Sequence, residues 1–293
     1  MPRRLPAARA AREGTGARMD LNTITAHLTP RGREDLAAWR PGDAWLAGGT
    51  WLFSEPQPGV TRLIDLARLG WPPLEIDAEG MRIGATCTIA RLDRAECPAA
   101  WIAAPLIGQC CRALLGSFKI WTMATVGGNL CMALPAGPMI ALTAALDGTC
   151  LIWQRDGGER RLPVTEFVRG PQETALQPGE VLRRIDLPAE ALRRRAAFRR
   201  ISLSPNGRSG ALLIGTRDAA GALALTVTAS TRRPVRIAFP ALPAAGALAA
   251  ALADAIPPGL THDDVHGAPE WRRQVTLLLA EEIRQELDGD ACG

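Results

Sequence analysis

Short apolar runs broken by glycine and proline dominate the first two thirds of the chain, a pattern that predicts strands and tight turns more than long helices. "AWLAGGTWLF" (44–53) reads as a strand entering a double-glycine turn, and "TRLIDLARL" (61–69) as a strand with its connector. "MRIGATCTIARL" (81–92) predicts a further strand, with Gly84 at a bulge or a close backbone approach. Apolar residues at helical spacing run from Pro105 to Leu115, and "TCLIWQR" (149–155) and "EVLRRIDLP" (180–188) alternate as half-buried strands do. From about Ala196 the texture changes: "FRRISL", "GALLIGTRD" and "GALALTVTAS" predict a three-stranded antiparallel meander. Two helices close the chain. In the last, Trp271, Val275, Leu279, Ile283 and Leu287 fall four apart on one face, and Pro269 with Glu270 supplies its first turn.

One stretch breaks this rhythm. "ATVGGNLCMALPAGPMIALTAALDG" (124–148) carries no formal charge from Val126 to Leu146, about the length of a bilayer-spanning helix. Gly127, Gly128, Asn129, Pro135, Gly137 and Pro138 interrupt any such helix. The stretch therefore reads as a tight backbone loop leading into a short buried helix from Met139 to Leu146, and no membrane span is expected.

Composition narrows the function classes. The chain has 293 residues, 47% hydrophobic and 22% charged, which suits one or two globular domains. Its net charge of +4 resides entirely in residues 1–18, which hold five arginines and one glutamate. The remainder is neutral, and Lys119 is the only lysine, so nucleic-acid binding is disfavoured. The leading segment is Arg-rich like a transit peptide but lacks the apolar region of a secretory signal; it reads either as a disordered tail or as a mis-assigned start, with translation beginning at Met19, the favoured reading. Cysteines 87, 97, 110, 111, 131, 150 and 292 form no C-x-x-C pair, so reduced thiols in the cytoplasm are expected, with no metal site. His262 and His266 flank two aspartates, yet Pro257, Pro258, Gly259, Gly267 and Pro269 around them favour a loop with a solvated or capping role. No Ser–His–Asp or paired-carboxylate arrangement stands out, and no catalytic side chain is assigned.

Two double-glycine corners remain, Gly48-Gly49 and Gly127-Gly128, each after a short apolar segment and each followed by a polar group, Thr50 and Asn129. Paired glycines permit positive φ and close approach of the backbone to a ligand, exposing N–H groups to an anion. Two such corners could clasp a diphosphate, with Thr50, Thr125 and Asn129 adding side-chain hydrogen bonds and the uncharged stretch lining a slot for a ring system. A single Gly-Gly is more often a hairpin turn, and neither corner fits the dinucleotide or P-loop fingerprints.

Taken together and in order, "LAGGTWL" and "ATVGGNLCMALPAGPMIALTAALDG" resemble the two FAD-binding segments of the flavoprotein (medium) subunit of molybdenum hydroxylases, the xanthine dehydrogenase and carbon monoxide dehydrogenase type. The likeness continues through "RIGATCTIARL", "EFVRGPQETALQPGEVLRRIDLP" and "DDVHGAPEWRRQVTLLLAEEI", and so spans Met19 to the C terminus. The resemblance implies an α+β protein: a PCMH-type FAD-binding fold of two α/β subdomains (about 19–75 and 76–190) and a C-terminal α+β domain (191–293) built on a three-stranded antiparallel sheet with helices. It implies cofactor contacts at Ala47, Gly48, Gly49, Thr50 and Trp51, then at Ala124, Thr125, Val126, Gly127, Gly128 and Asn129, with Met132 and Gly137 close by. Val181 and Leu182 would pack near the flavin ring, and Arg199 would take a basic position on the cofactor side. The chain departs from the family where Pro138 replaces an acidic residue, where Leu134 replaces Ser or Thr, and where "KIWTM" precedes the second corner. It has no tyrosine to stack on a flavin, leaving Trp51 and Trp121 as substitutes.

The activity implied by the resemblance is electron relay. Electrons would leave substrate on a large molybdenum-cofactor subunit, cross a small iron–sulfur subunit, reduce FAD here and pass to an external acceptor. Two alternatives stay open: a self-contained FAD-dependent oxidase or reductase of the same fold, and an FAD-free scaffold subunit.

Overall fold

The computed structural model describes residues 23–289; the reading of residues 1–18 as a tail or mis-assigned start, and Met19 and Cys292, lie outside them. The first sheet is parallel, in the order β1 (Ala26–Leu28), β3 (Arg62–Asp65), β2 (Asp43–Leu46). Asp43 and Arg62 face each other at the start of β2 and β3. A guanidinium–carboxylate fork joins them, Nε to Oδ1 at 2.7 Å and Nη2 to Oδ2 at 2.6 Å. Arg62 thereby holds the Asp43 carboxyl below its ordinary pKa, its hydrogen bond being the largest cause. β2 delivers the first glycine corner, so this fork fixes the strand that aims it.

The second sheet is antiparallel throughout, in the order β4 (Leu74–Asp77), β5 (Gly80–Gly84), β10 (Val181–Pro188), β6 (Thr149–Trp153), β7 (Glu159–Pro163). Gly84 is the close approach expected of it: a Cβ there would stand 2.4 Å from the Pro72 carbonyl oxygen. Between β5 and β6 run the helices α1 (Ile89–Asp93), α2 (Pro105–Ala113), α3 (Phe118–Met123), α4 (Val126–Met132) and α5 (Pro138–Ala145). After β7 come α6 (Val164–Phe167), the small ribbon of β8 (Val168–Gly170) and β9 (Glu173–Thr174), and, beyond β10, α7 (Ala189–Leu192).

The third sheet holds four antiparallel strands where three were expected: β11 (Arg195–Ile201), β12 (Ala211–Arg217), β13 (Leu223–Thr228) and β14 (Val235–Phe239). β14 is short and follows Pro234, which masks its alternation. α8 (Ala245–Ala255) and α9 (Pro269–Gly289) pack on one face of this sheet. That face, with Ala197, Leu213, Leu225 and Val227, forms a core with Val275, Leu279, Ile283 and Leu287 of α9. The other face, with Phe198, Leu212 and Ile214, joins the larger core of the first two sheets. Burial on both sides explains the unbroken apolar run in β12.

The uncharged stretch is the middle of this arrangement. All eight residues of α5 are buried, and the helix touches α2, α4, β12 and β13. A helix that is apolar all round belongs inside a core, and full burial of Met139, Ile140 and Leu142 contributes about 1.5–3 kcal/mol each. Core packing, and not a slot for a ring system, accounts for the missing charges of α5.

Candidate FAD-binding site

The two glycine corners meet. Gly48 lies so close to the residue preceding the second corner that a Cβ on it would stand 1.7 Å from the Met123 carbonyl oxygen and 3.3 Å from the Ala124 Cα. Gly48 is therefore glycine for space. Gly49 is glycine for conformation, with φ at 70°. Residues 47–51 follow β2 as an irregular turn, closed by Phe53 N donating to Gly49 O at 2.9 Å. Among the described residues nothing accepts a hydrogen bond from the N–H groups of Gly48, Gly49, Thr50 and Trp51, and the Thr50 hydroxyl has no partner. Consecutive unpaired amides on a turn are the donor set of an anion-binding nest.

The second corner behaves differently. The stretch expected to be a loop is a helix from Val126, and its first N–H groups are consumed within the protein. Val126 N donates to Cys87 O at 2.8 Å and Gly127 N to Ala85 O at 3.0 Å, while Gly128 N donates to the Thr125 hydroxyl at 3.0 Å. Thr125 is an N-cap that supplies one of the acceptors a helix start lacks. Gly127 is needed because a Cβ would stand 2.5 Å from the Ala85 Cβ. Neither Gly127 nor Gly128 takes positive φ. The amides are thus unpaired at the first corner and spent at the second, where the expectation of exposed N–H groups is corrected and the glycines serve close packing and a cap. Asn129 is also turned inward: its Oδ1 accepts from Met139 N at 3.1 Å and so caps α5 beside Gly137. Its amide N–H groups and the Thr125 O–H remain as donors.

The structure places the other expected residues as follows. Ala124 ends α3, and its carbonyl accepts from Ile89 N at 2.9 Å. Met132 closes α4, half-buried. Gly137 is the N-cap residue of α5. Val181 and Leu182 open β10, only 3% and 2% exposed, as members of the large core. β10 is tied to the second corner through one residue of β5's extension, since Ala85 N donates to Arg183 O at 3.0 Å and Ala85 O accepts from Gly127 N. β10 is tied to β2 as well, by Trp45 Nε1 donating to Glu180 O at 2.9 Å. Burial raises the Glu180 carboxyl, but the Arg160 fork (2.8 and 2.5 Å) and the Gln177 backbone N–H (2.8 Å) act together against it and the net pKa is lowered.

Arg199 is not gathered into this assembly. It lies on the face of β11 turned to α9, where it pairs with Glu282 at 2.8 Å and Glu286 at 2.7 Å. Its neighbour Arg200 takes the other face of β11. It faces Leu212 across the ladder, hence the large core, and its Nε donates to Ser209 Oγ at 2.7 Å. The period-two alternation of β11 separates the two, because Ala197, Arg199 and Ile201 share one face and Phe198 and Arg200 the other.

His262 and Asp264 lie in a loop, Nε2 to Oδ2 at 3.2 Å, and burial lowers the His262 pKa despite that carboxylate. Asp264 also pairs with Arg272, a guanidinium 1% exposed that donates to Gly267 O at 2.7 Å and Gly210 O at 3.0 Å. Burial pushes the Cys87, Cys111 and Cys131 thiols up to about 12, which disfavours the reactive thiolate; Cys87 and Cys111 are core residues and Cys131 packs against the core.

The family described as "FAD binding domain in molybdopterin dehydrogenase" matches residues 34–190, a stretch that holds both corners and β10. The chain belongs to this family. Its cofactor is FAD. The chain is similar to caffeine dehydrogenase subunit beta of Pseudomonas sp. (strain CBB1), 34% identical over 103 residues that make up 34% of this chain and 35% of that one. The match thus spans about a third of that relative's length. Its fold is that of a chain of quinoline 2-oxidoreductase from Pseudomonas putida 86, with a TM-score of 0.75, 20% identity and coverage of 92% and 98% of the two chains. A chain of carbon monoxide dehydrogenase from Hydrogenophaga pseudoflava agrees equally, with a TM-score of 0.73, 20% identity and coverage of 89% and 96%.

The residues present fit the cofactor at the first corner. A row of unpaired amides with an unpaired hydroxyl suits a diphosphate. The second corner fits as the wall that backs it.

Proposed function

We propose that the chain is the FAD-binding electron-transfer subunit of a heteromeric molybdenum hydroxylase, working between a small iron–sulfur subunit, a large molybdenum-cofactor subunit and an external acceptor. The observation that carries the reading is the meeting of the two corners at Gly48 and Met123. It supports a single dinucleotide held at one place by segments distant in sequence. The name of the caffeine dehydrogenase relative, a subunit beta, supports an assembly. FAD, when bound, supplies the redox chemistry, and the protein supplies position and electrostatics.

The chain's own residues have three tasks in this reading. The amides of Gly48 to Trp51 and the Thr50 hydroxyl donate to the diphosphate. The Thr125 hydroxyl and the Asn129 amide add donors from the opposite side. Val181 and Leu182 belong to the buried wall beyond. We further assign residues 19–190 to the FAD-binding unit and 191–293 to a C-terminal domain. The second core is built wholly from the latter. Among the described residues no helix is long and apolar enough to cross a membrane; a cytoplasmic setting is part of the proposal.

Anaerobic purification with absorption spectroscopy, followed by capture from native lysate, tests the reading. Flavin bands, and co-purifying chains that carry iron–sulfur and molybdenum, are expected. Flavin without partners would establish the self-contained oxidase or reductase, and no flavin even after FAD addition would establish the scaffold.

A further inference from the structure

The C-terminal body contains a pocket that the flavin site does not use. It lies between α8 and α9, with a volume of about 170 Å3. Its walls are aliphatic: Ala249, Leu252, Ala253 and Ile256 from the α8 side and Leu277 from α9. Ala249 and Ala253 are one helical turn apart, so two small side chains stack on one face and leave the space open. A leucine at either place would fill it.

Its polar groups are Ser230, Thr261, Thr276, Arg272 and Arg273, and nearly all are engaged, Arg273 with Glu270 at 3.2 Å. Thr276 and Ser230 bond to each other at 2.8 Å. Arg272 spends its guanidinium on backbone carbonyls and Asp264. The exception is Thr261, only 7% exposed, whose hydroxyl is buried without a hydrogen-bond partner. Buried hydroxyls are nearly always bonded, and an orphan at a pocket wall calls for an explanation.

We propose that this pocket binds a compact, uncharged molecule with an apolar ring or branched aliphatic body and one hydroxyl. The body packs against the α8 and α9 walls, and the hydroxyl bonds to Thr261 Oγ1. Size and lining argue for the body: the pocket is an aliphatic groove open to solvent on the side of Ala249, Ala253 and Leu277, and about 150 Å3 is the volume that accepts a six-membered ring. Both arginines on these walls are already paired, Arg272 with Asp264 and Arg273 with Glu270, which argues against an ionic ligand. The orphan hydroxyl argues for the single polar group.

Phenol and benzene serve as probes in an amide-resolved NMR titration of the full chain. Phenol is expected to give saturable shifts at residues 249–256, 261 and 277, the same with or without FAD, and to bind more tightly than benzene. Ala253→Leu, at an exposed site on α8, abolishes both. Thr261→Val weakens phenol about tenfold and leaves benzene unchanged. The proposal is overturned if no saturable shift occurs, if the shifts map elsewhere, if Ala253→Leu still binds, or if phenol binds the wild-type chain no better than benzene. That last comparison needs no variant and stands even if Thr261→Val fails to fold.

Discussion

Alanine at Gly48 tests the contact on which the cofactor site depends. The new Cβ would stand 1.7 Å from the Met123 carbonyl oxygen and 2.6 Å from its carbonyl carbon. Both are backbone atoms, so no rotamer change relieves the clash. An ordinary carbon–oxygen contact is about 3.3 Å, so the two segments must part by about 1.6 Å. A shift of that size takes a hydrogen bond of about 2.9 Å beyond its range. Losing two charge-assisted bonds from the Gly48–Trp51 amides, at about 1.5 kcal/mol each, weakens FAD binding by about 3 kcal/mol, or roughly 150-fold. The assay is a flavin-fluorescence titration of the FAD-stripped full chain. Gly59→Ala is the control, because a Cβ there meets nothing within 4 Å. A Gly48→Ala protein that is folded and binds FAD within about threefold of wild type refutes the reasoning.

Three further outcomes follow from the same geometry. Gly127→Ala sets a Cβ 2.5 Å from the Ala85 Cβ and 2.6 Å from its carbonyl oxygen, and should cost about 1–3 kcal/mol of stability in urea unfolding, with or without FAD. The folded Asp43 pKa lies below its unfolded value, so its stabilisation is complete above about pH 4 and lost as pH falls through the folded value. Urea midpoints followed from pH 7 to pH 3 should therefore fall less steeply for Asp43→Asn than for wild type. Arg272→Met leaves Gly210 O, Gly267 O and Asp264 without their buried donor, and calorimetry should show a Tm lower by about 5–10 °C.

Much of the fold was legible in the chain because glycine and proline punctuate it. The strands ending at Leu46 and Gly84, the helix beginning near Met139 and the apolar face of the last helix all follow from local pattern. β14 was not legible, since a five-residue strand after a proline carries too little alternation. The site was half legible. Two glycine pairs look alike in sequence, but the roles of their amides are decided by partners distant in the chain: Cys87 and Ala85 take the N–H groups of Val126 and Gly127, while the first corner has no such neighbours. Arg199 and Arg200 illustrate the same limit. They differ only in which face of β11 they occupy, and one face meets Glu282 and Glu286 of a helix some eighty residues later. The resemblance supplied the family; the tertiary partners supplied the division of labour.

In the proposed site the first corner's amides grip FAD while the second corner's are already spent within the protein. Adding FAD to the stripped full chain and following assigned backbone amides by NMR tests it most directly. Large downfield shifts and slowed exchange are expected at Gly48, Gly49, Thr50 and Trp51, with little change at Val126, Gly127 and Gly128. Dominant shifts at the second corner, with the first unmoved, would contradict it.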